Sequence, residues 1–186
     1  MLNQTYKNFE FIIVDNFSNY DFFSYIKSFN DYRINAYQNN NNGIIAINRN
    51  YAIKQSKGEL IAFCDDDDIW YRTKLEKTIN IINSKTRVDI VSHAVYRTFN
   101  GEVISKWPKP INFSKTNIYS QLLLRGNFVG LCTVVLNKKI FMGEINGFNE
   151  GQDYLGVEDY DLWLRIAKSG KIFKYISEPL AGNMYH

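Results

Sequence analysis

The sequence has 186 residues, of which 45% are hydrophobic and 16% aromatic, and this is enough for one domain with a buried core. The formal net charge is only +3 and the basic residues are scattered, so charge gives no argument for a nucleic-acid partner. Two cysteines and no apolar run approaching about 18 residues indicate a chain of a reducing compartment that is soluble or peripheral to a membrane.

Predicted strands and helices alternate along the first hundred residues, which is typical of an α/β domain. Short apolar, β-branched runs predict strands buried on both faces, and apolar residues at helical spacing predict helices between them. In chain order the pattern predicts a strand at 9–15, a helix at 21–30, a strand at 33–37, a helix at 45–58, a strand at 59–64, a helix at 72–84 and a strand at 88–95. In the helix at 45–58 and the residue before it, one apolar face is expected from Ile44, Ile47, Tyr51 and Ala52.

The pattern is looser after residue 100. It predicts helices at 118–128 and 158–170, the second ending at Gly170, and strands at 131–136 and 171–176. Trp163 and Ile166 are expected in the core. His93, within a predicted strand, is expected to be a satisfied core or interface residue.

Four consecutive aspartates, Asp65 to Asp68, follow the strand predicted at 59–64. Adjacent carboxylates repel one another, so a cation or strong hydrogen-bond donors must offset them beside a buried strand. Ligands of doubly wound sheets bind beyond the carboxyl ends of the strands, where this cluster lies. If the extended geometry continues, Asp65 and Asp67 point to one side, and this pair suits a nucleotide-bound Mg²⁺ or Mn²⁺.

The acidic cluster is open to other interpretations. An EF-hand calcium loop beginning at Asp65 would have Trp70 at the position where a glycine is required. A solvated turn that caps the next helix needs one aspartate, a role that suits Asp68, and not four. A phosphotransfer or haloacid-type hydrolase would combine an early D-x-D pair with a downstream lysine, and no other feature of the sequence supports that class.

An ordered set of motifs extends over nearly the whole chain. It comprises LNQTYKNFEFIIVDNFS, then GIIAINRNYAIKQSKGELIAFCDDDDIW followed by KLE, and then GNF, GFNE, EDYDLWLR and EPLA. In this order the motifs resemble those of the family 2 glycosyltransferases. The resemblance implies the Rossmann-like α/β GT-A fold, with a mostly parallel central sheet and helices on both faces. It also implies one catalytic domain over 1–186, with its nucleotide-sugar-binding half at 1–100 and its acceptor-side half at 101–186.

The resemblance implies a site for the nucleotide sugar. Asp15 and Asn16 fall in the loop that grips the nucleotide base, where the family commonly has two aspartates, so Asn16 weakens this contact by one charge. Arg49, in the NRN motif, is expected on the nucleotide side, where it contacts the diphosphate or pairs with the acidic cluster.

The resemblance also implies a divalent cation, Mn²⁺ or Mg²⁺. Asp65 and Asp67 match the metal-binding D-x-D motif, with Asp67 the better direct ligand. Asp66 is expected nearer the ribose or the sugar. His186 follows the EPLA motif as a histidine does in many relatives, and is expected as a further metal ligand.

The glutamate–aspartate pair of EDYDLWLR matches the position of the family's catalytic base. The resemblance assigns the base to Asp159 and places Glu158 beside it toward the acceptor. A carboxylate at a helix N-terminus is stabilised in its ionised form, which can accept a proton, although simple helix capping by Asp159 is the alternative. Asp161 is expected to face elsewhere. The implied reaction is an inverting transfer from a nucleotide-diphosphate sugar to an acceptor hydroxyl.

At family level, the partners expected are a UDP-sugar donor and a saccharide or lipid-linked saccharide acceptor. These suggest bacterial surface polysaccharide synthesis (capsule, lipopolysaccharide or O-antigen) in the cytoplasm, at the inner face of the membrane. Relatives begin with a further strand and helix, so the chain is expected to be N-terminally incomplete. The alternative is therefore a catalytically silent remnant that acts only as a binding module. A nucleotidyltransferase is disfavoured because no Gly- and Arg-rich phosphate loop lies near the start.

Overall fold

The computed structural model describes residues 1–99, 102–108, 117–143 and 145–185, with the backbone alone for 183–185. His186, expected as a metal ligand, lies outside the described residues. The strands are β1 (Phe11–Asp15), β2 (Ile34–Gln38), β3 (Leu60–Ala62), β4 (Asp68–Trp70), β5 (Ile90–Phe99), β6 (Glu102–Trp107), β7 (Val135–Asn137) and β8 (Phe173–Tyr185). The helices are α1 (Phe22–Ser28), α2 (Ile45–Gln55), α3 (Lys74–Ile82), α4 (Ile118–Arg125) and α5 (Glu158–Lys168).

The strands form two sheets. β1 and β2 pair in parallel, and the other six form a sheet in the order β3-β7-β5-β8-β4, with β6 also paired to β5. Within this larger sheet the described pair β5–β8 is parallel, whereas β3–β7, β4–β8, β5–β6 and β5–β7 are antiparallel. The α/β class is therefore confirmed, but the sheet is mixed and not mostly parallel. Short strands that need no crossover helix, such as β4 and β6, supply the antiparallel pairs.

The larger core lies between the six-stranded sheet and helices α4 and α5. Leu162, Trp163 and Ile166 of α5 are fully buried, as is Leu122 of α4. The predicted core positions Trp163 and Ile166 are confirmed. Because this apolar face fixes α5 along its length, the acidic residues of its first turn have a rigid base.

Helix α2 forms as predicted, but the expected apolar face is wrong. The residues that it buries are Ala46, Asn48, Asn50 and Ile53. Asn50 can be buried because its amide donates to the carbonyl of Phe148 at 2.9 Å and accepts from the N–H of Phe148 at 2.9 Å. Paired amides remove the cost of burying a polar group, so this helix packs through hydrogen bonds as well as apolar contacts.

Helix α1 covers the small β1–β2 sheet, and most of its aromatic residues remain exposed. Phe22 is buried, but Tyr25 and Phe29 are about half exposed, at 55% and 49%. The two rings contact each other edge to face, with centroids 5.2 Å apart. A two-stranded sheet offers too little surface to bury both faces of a helix that carries aromatic residues all round.

Lys74, the first residue of α3, is fully buried. Burial is the main cause that lowers the pKa of Lys74, from 10.5 to about 7. At a pH between these two pKa values, Lys74 holds its proton in the unfolded chain but has released it in the folded protein. The free energy of unfolding should therefore rise with pH above 7, by about 1.4 kcal/mol per pH unit for this one group.

Denaturant titrations of the native protein and of Lys74→Met, between about pH 7 and pH 9, measure this rise. The variant lacks the titrating group, so the native protein should gain stability more steeply with pH than Lys74→Met does. Equal slopes in the two proteins would contradict a depressed pKa at Lys74.

Candidate active site

The acidic cluster forms a tight turn and not an extension of the strand. β3 ends at Ala62, and the N–H of Asp68 donates to the carbonyl of Asp65 at 3.2 Å. Asp66 and Asp67 occupy the exposed tip. The expected alternation of the aspartates across a continuing strand is therefore wrong, because the chain reverses here before it enters β4. The turn still presents Asp67 to solvent, where a ligand can reach it.

Arg49 connects the acidic turn to the start of α5. Its guanidinium donates to both oxygens of Asp65, at 2.9 and 3.1 Å, and to Oε1 of Glu158 at 2.5 Å. The side chain of Arg49 is only 12% exposed, and it lies over the ring of Phe148 with 5.6 Å between Cζ and the ring centroid. A planar guanidinium with two carboxylate partners fixes their relative position. Of the two contacts expected for Arg49, the structure contains the pairing with the acidic cluster.

Asp159 follows Glu158 in the first turn of α5. Its Oδ2 accepts a hydrogen bond from Nδ2 of Asn127 at 3.1 Å, and its Oδ1 accepts from the N–H of Tyr160 at 2.6 Å. Burial is the main cause that raises the pKa of Asp159, and the charge of Glu158 adds to it, whereas both hydrogen bonds oppose the rise. Val157 occupies the N-cap position, with no side-chain cap. Helix capping therefore does not account for Asp159, and a carboxylate with raised pKa is suited to accept a proton.

Glu158 has one carboxylate oxygen that is not used by Arg49. This Oε2 atom is buried and has no hydrogen-bond partner in the part of the chain that the structure describes. Glu158 also lines a narrow cleft that has no room for a water molecule, together with Ile44, Ile45, Ala46, Asn149, Gly151, Tyr154 and Leu155. A buried carboxylate oxygen without a donor is costly, so Oε2 is an unsatisfied acceptor of this site.

Asp15 and Asn16 form a second polar group at the end of β1. Asp15 accepts hydrogen bonds from the hydroxyl of Ser18 at 2.5 Å and from Nε2 of Gln38 at 2.9 Å. Burial raises the pKa of Asp15, but these hydrogen bonds outweigh it, so the pKa lies below its ordinary value. Oδ1 of Asn16 accepts from the N–H of Asn41 at 3.0 Å and so holds the Asn-rich loop. The carboxylate of Asp15 is therefore ionised and rigidly placed.

Comparison with known proteins assigns the family. The model of glycosyl transferase family 2 matches residues 1–142. The chain belongs to glycosyltransferase family 2.

Two relatives of this family 2 glycosyltransferase are similar over 92% of the chain. One is the UDP-Glc:alpha-D-GlcNAc-diphosphoundecaprenol beta-1,3-glucosyltransferase WfgD of Escherichia coli, 32% identical over 174 residues. The other is an uncharacterized glycosyltransferase of Rickettsia felis, 33% identical over 177 residues. The chain spans 63% of the length of the first and 28% of the length of the second.

The fold is shared with a solved glycosyltransferase. The crystal structure of S. aureus TarS 1–349 in complex with UDP matches 98% of the chain and 54% of the TarS chain. The TM-score is 0.75 and the sequence identity 19%. This likeness confirms the GT-A fold that the sequence motifs imply, with a mixed sheet.

The acidic turn of this family 2 glycosyltransferase fits a hard divalent cation through the chemistry of its donors. Asp67 is an exposed carboxylate, and Asp65 retains lone pairs beyond those used by Arg49. No group of three or more His, Cys, Asp or Glu residues within the described ranges is arranged to hold a metal ion alone. Two carboxylates are donors of the kind that Mg²⁺ or Mn²⁺ takes when phosphate oxygens and water complete the coordination.

Several contact residues of the site were not predicted. Asn127 holds Asp159, and Gln38 and Ser18 hold Asp15. Asn127 lies in the GNF motif, one of the motifs that carry the resemblance, so the sequence did contain a signal for this residue. Ser18 likewise ends the LNQTYKNFEFIIVDNFS motif, whereas Gln38 lies in none of the quoted motifs and reaches Asp15 only through the pairing of β1 with β2.

Proposed function

We propose that this family 2 glycosyltransferase transfers a sugar from a nucleotide-diphosphate sugar to an acceptor hydroxyl with inversion. The observation that carries this proposal is the bridge formed by Arg49 between Asp65 and Glu158, with Asp159 beside it. The bridge fixes Asp65, the proposed cation ligand, relative to Glu158 at the start of α5, where Asp159, the proposed proton acceptor, is the next residue. Both groups are needed for a substitution at the anomeric carbon, since the leaving group and the attacking group each require assistance.

In the proposed reaction Asp159 accepts the proton of the acceptor hydroxyl. The oxygen then forms a bond to the anomeric carbon, and the bond from that carbon to the diphosphate oxygen breaks with both electrons going to the diphosphate. Asp65 and Asp67 would hold a divalent cation, which supplies charge stabilisation to the departing diphosphate. Asp15 would contact the nucleotide base, and Asp66 the ribose or the sugar.

The relatives suggest the class of donor and acceptor. WfgD, by its name, uses UDP-Glc and a diphosphoundecaprenol-linked sugar, and the TarS structure contains UDP. We therefore propose a UDP-sugar donor and a saccharide or lipid-linked saccharide acceptor in bacterial surface polysaccharide synthesis. No helix among the described residues has both the length and the apolarity that a membrane crossing requires. A location at the cytoplasmic face of the membrane would bring the enzyme to such an acceptor.

The first test is a panel of nucleotide sugars, assayed for hydrolysis with Mn²⁺ and with a chelator. Release of nucleoside diphosphate from one donor, dependent on Mn²⁺, is the expected result. Calorimetry with UDP and Mn²⁺ provides a second measurement that needs no acceptor. A chain that neither binds UDP in the presence of Mn²⁺ nor turns over any donor would overturn the proposal.

The contacts of Asp159 predict how activity depends on pH. The amide of Asn127 lowers the pKa of Asp159 and the charge of Glu158 raises it. A general base must be ionised, so the acid limb of kcat/KM should move to higher pH in Asn127→Ala and to lower pH in Glu158→Gln. The pH profiles of the two variants and of the native enzyme measure both shifts. Shifts in the same direction would be inconsistent with Asp159 as the base.

A further inference from the structure

A polar cluster joins the acidic turn to the protein core. It consists of Lys74, Cys132 and Asp68, of which Lys74 and Cys132 are 0% and 4% exposed. The ammonium of Lys74 donates to the main-chain carbonyl of Cys132, and its Nζ lies 3.4 Å from the centroid of the Trp70 ring. Both contacts hold the Lys74 amino group away from water. They fix the 3₁₀ turn Leu131–Thr133 against the start of α3.

The thiol of Cys132 connects this buried cluster to the turn. The Cys132 side chain is hydrogen bonded to the carboxylate of Asp68, and an ionised carboxylate can only accept, so the thiol is the donor. Oδ2 of Asp68 in turn accepts from the N–H of Asp65 at 3.0 Å. Asp68 therefore joins a fixed part of the core to the first residue of the turn.

The Asp68 carboxylate and main chain close the turn twice. The side chain of Asp68 accepts a hydrogen bond from the N–H of Asp65, and the N–H of Asp68 donates to the carbonyl of Asp65. Four adjacent carboxylates would otherwise separate by mutual repulsion. The fourth aspartate is half-buried and directed inward, unlike Asp66 and Asp67, which are exposed. Its contacts are those of a group that holds the turn and not those of a ligand.

We propose that Cys132 and Asp68 are positioning residues of the donor site, which hold the 65–68 turn so that the Asp65 and Asp67 carboxylates are presented together to the donor-bound cation. This inference rests on the proposed function. It assigns Cys132 and Asp68 a role in cation-dependent binding that goes beyond the stability of the fold. Neither residue touches the nucleotide sugar in this proposal.

The test measures UDP binding by calorimetry with Mn²⁺ and with a chelator, in the native protein, Cys132→Ala and Cys132→Ser. A hydrogen bond to a charged group is lost in the alanine variant, so its Mn²⁺-dependent affinity should fall by about tenfold or more. Serine retains a donor and should restore most of the affinity. Binding with the chelator should change far less among the three proteins, because the base contact proposed for Asp15 lies outside the turn.

A second variant, Asp68→Ala, removes the other partner of the same contact and does not depend on how the core tolerates a change at Cys132. Alone it should show at least the same Mn²⁺-specific loss, because it also removes the hydrogen bond to the N–H of Asp65. Adding Cys132→Ala to Asp68→Ala should lower the affinity little further, because the contact between the two side chains is already gone. Native-like melting temperatures and circular dichroism accompany each measurement.

Two results are distinguishable. A native protein without Mn²⁺-dependent UDP binding would overturn the proposed function, and the positioning role with it. A native protein that binds, together with Cys132→Ala that binds equally well or that weakens equally with and without Mn²⁺, would overturn the positioning role alone.

Discussion

Asp159→Asn should lower kcat by about 10²- to 10⁴-fold, the usual contribution of a general base. The substitution preserves the size of the side chain and one of the two oxygens that accept hydrogen bonds from Asn127 and Tyr160, and the buried apolar face of α5 should retain the start of the helix. What it removes is the ability to take the proton from the acceptor hydroxyl. Binding of UDP with Mn²⁺ should be unchanged, because in the proposed function Asp159 contacts the acceptor and not the UDP.

Asp161→Asn is the matched control for this loss. It makes the same chemical change two residues further along α5, where Asp161 forms an i,i+4 ion pair with Arg165 at 2.8 Å. A partly exposed i,i+4 pair on a helix surface contributes about 1 kcal/mol or less to stability, so transfer should remain near the native rate. Single-turnover rates of both variants measure the chemical step directly. Full activity in Asp159→Asn, or equal losses in both variants, would refute Asp159 as the base.

The sequence predicts the parts of this fold that depend on local patterns. The buried strands β1 and β5 and helix α5 carry apolar residues at the spacing of their secondary structure, and each was predicted near its observed bounds. The strands β4 and β6 were not predicted. β4 has only three residues, two of which are Asp68 and Trp70, and its conformation depends on pairing with β8. Such a strand is specified by its partner and not by its own sequence.

The buried face of α2 shows why an apolar pattern alone can mislead. Asn50 is buried because Phe148, almost a hundred residues later, offers a matching backbone donor and acceptor. Gly147 permits this approach: a Cβ there would lie 2.4 Å from Oδ1 of Asn50, and the φ of Gly147 is +80°. The GFNE motif that carries the resemblance thus has a packing role with α2. The spacing of apolar residues within α2 cannot show a contact with a residue so far away in the sequence.

For the site, the sequence identified the residue types and the structure supplied their relation. Arg49, Asp65 and Glu158 were each named, but the bridge among them joins residues that are 16 and 109 positions apart. The opposite placement of Asp67 and Asp68, one exposed and one directed inward, depends on the turn that replaces the expected strand. Two consecutive aspartates therefore differ in their surroundings because of the backbone geometry of the turn.

That difference in role predicts the effect of losing Asp67. Asp65 is held by Arg49, whereas Asp67 is exposed at the tip of the turn. Asp67→Ala should therefore remove the carboxylate that is freest to bind the cation, and should weaken Mn²⁺-dependent UDP binding by more than about 100-fold, beyond the loss typical of residues that only support a metal ligand. Transfer should fall at least as far as in Asp159→Asn, because the departing diphosphate loses its charge stabilisation.

Calorimetry with UDP, with Mn²⁺ and with a chelator, separates this effect from a general loss of the site. In Asp67→Ala the two affinities should become nearly equal, because the cation no longer contributes. Glu102→Ala, which removes an exposed carboxylate from β6, is the control for the change in net charge and should bind as the native protein does. Native Mn²⁺-dependent binding in Asp67→Ala would show that the crowded aspartates do not hold the cation through Asp67, and the repulsion among them would then have to be offset by Arg49 and the turn alone.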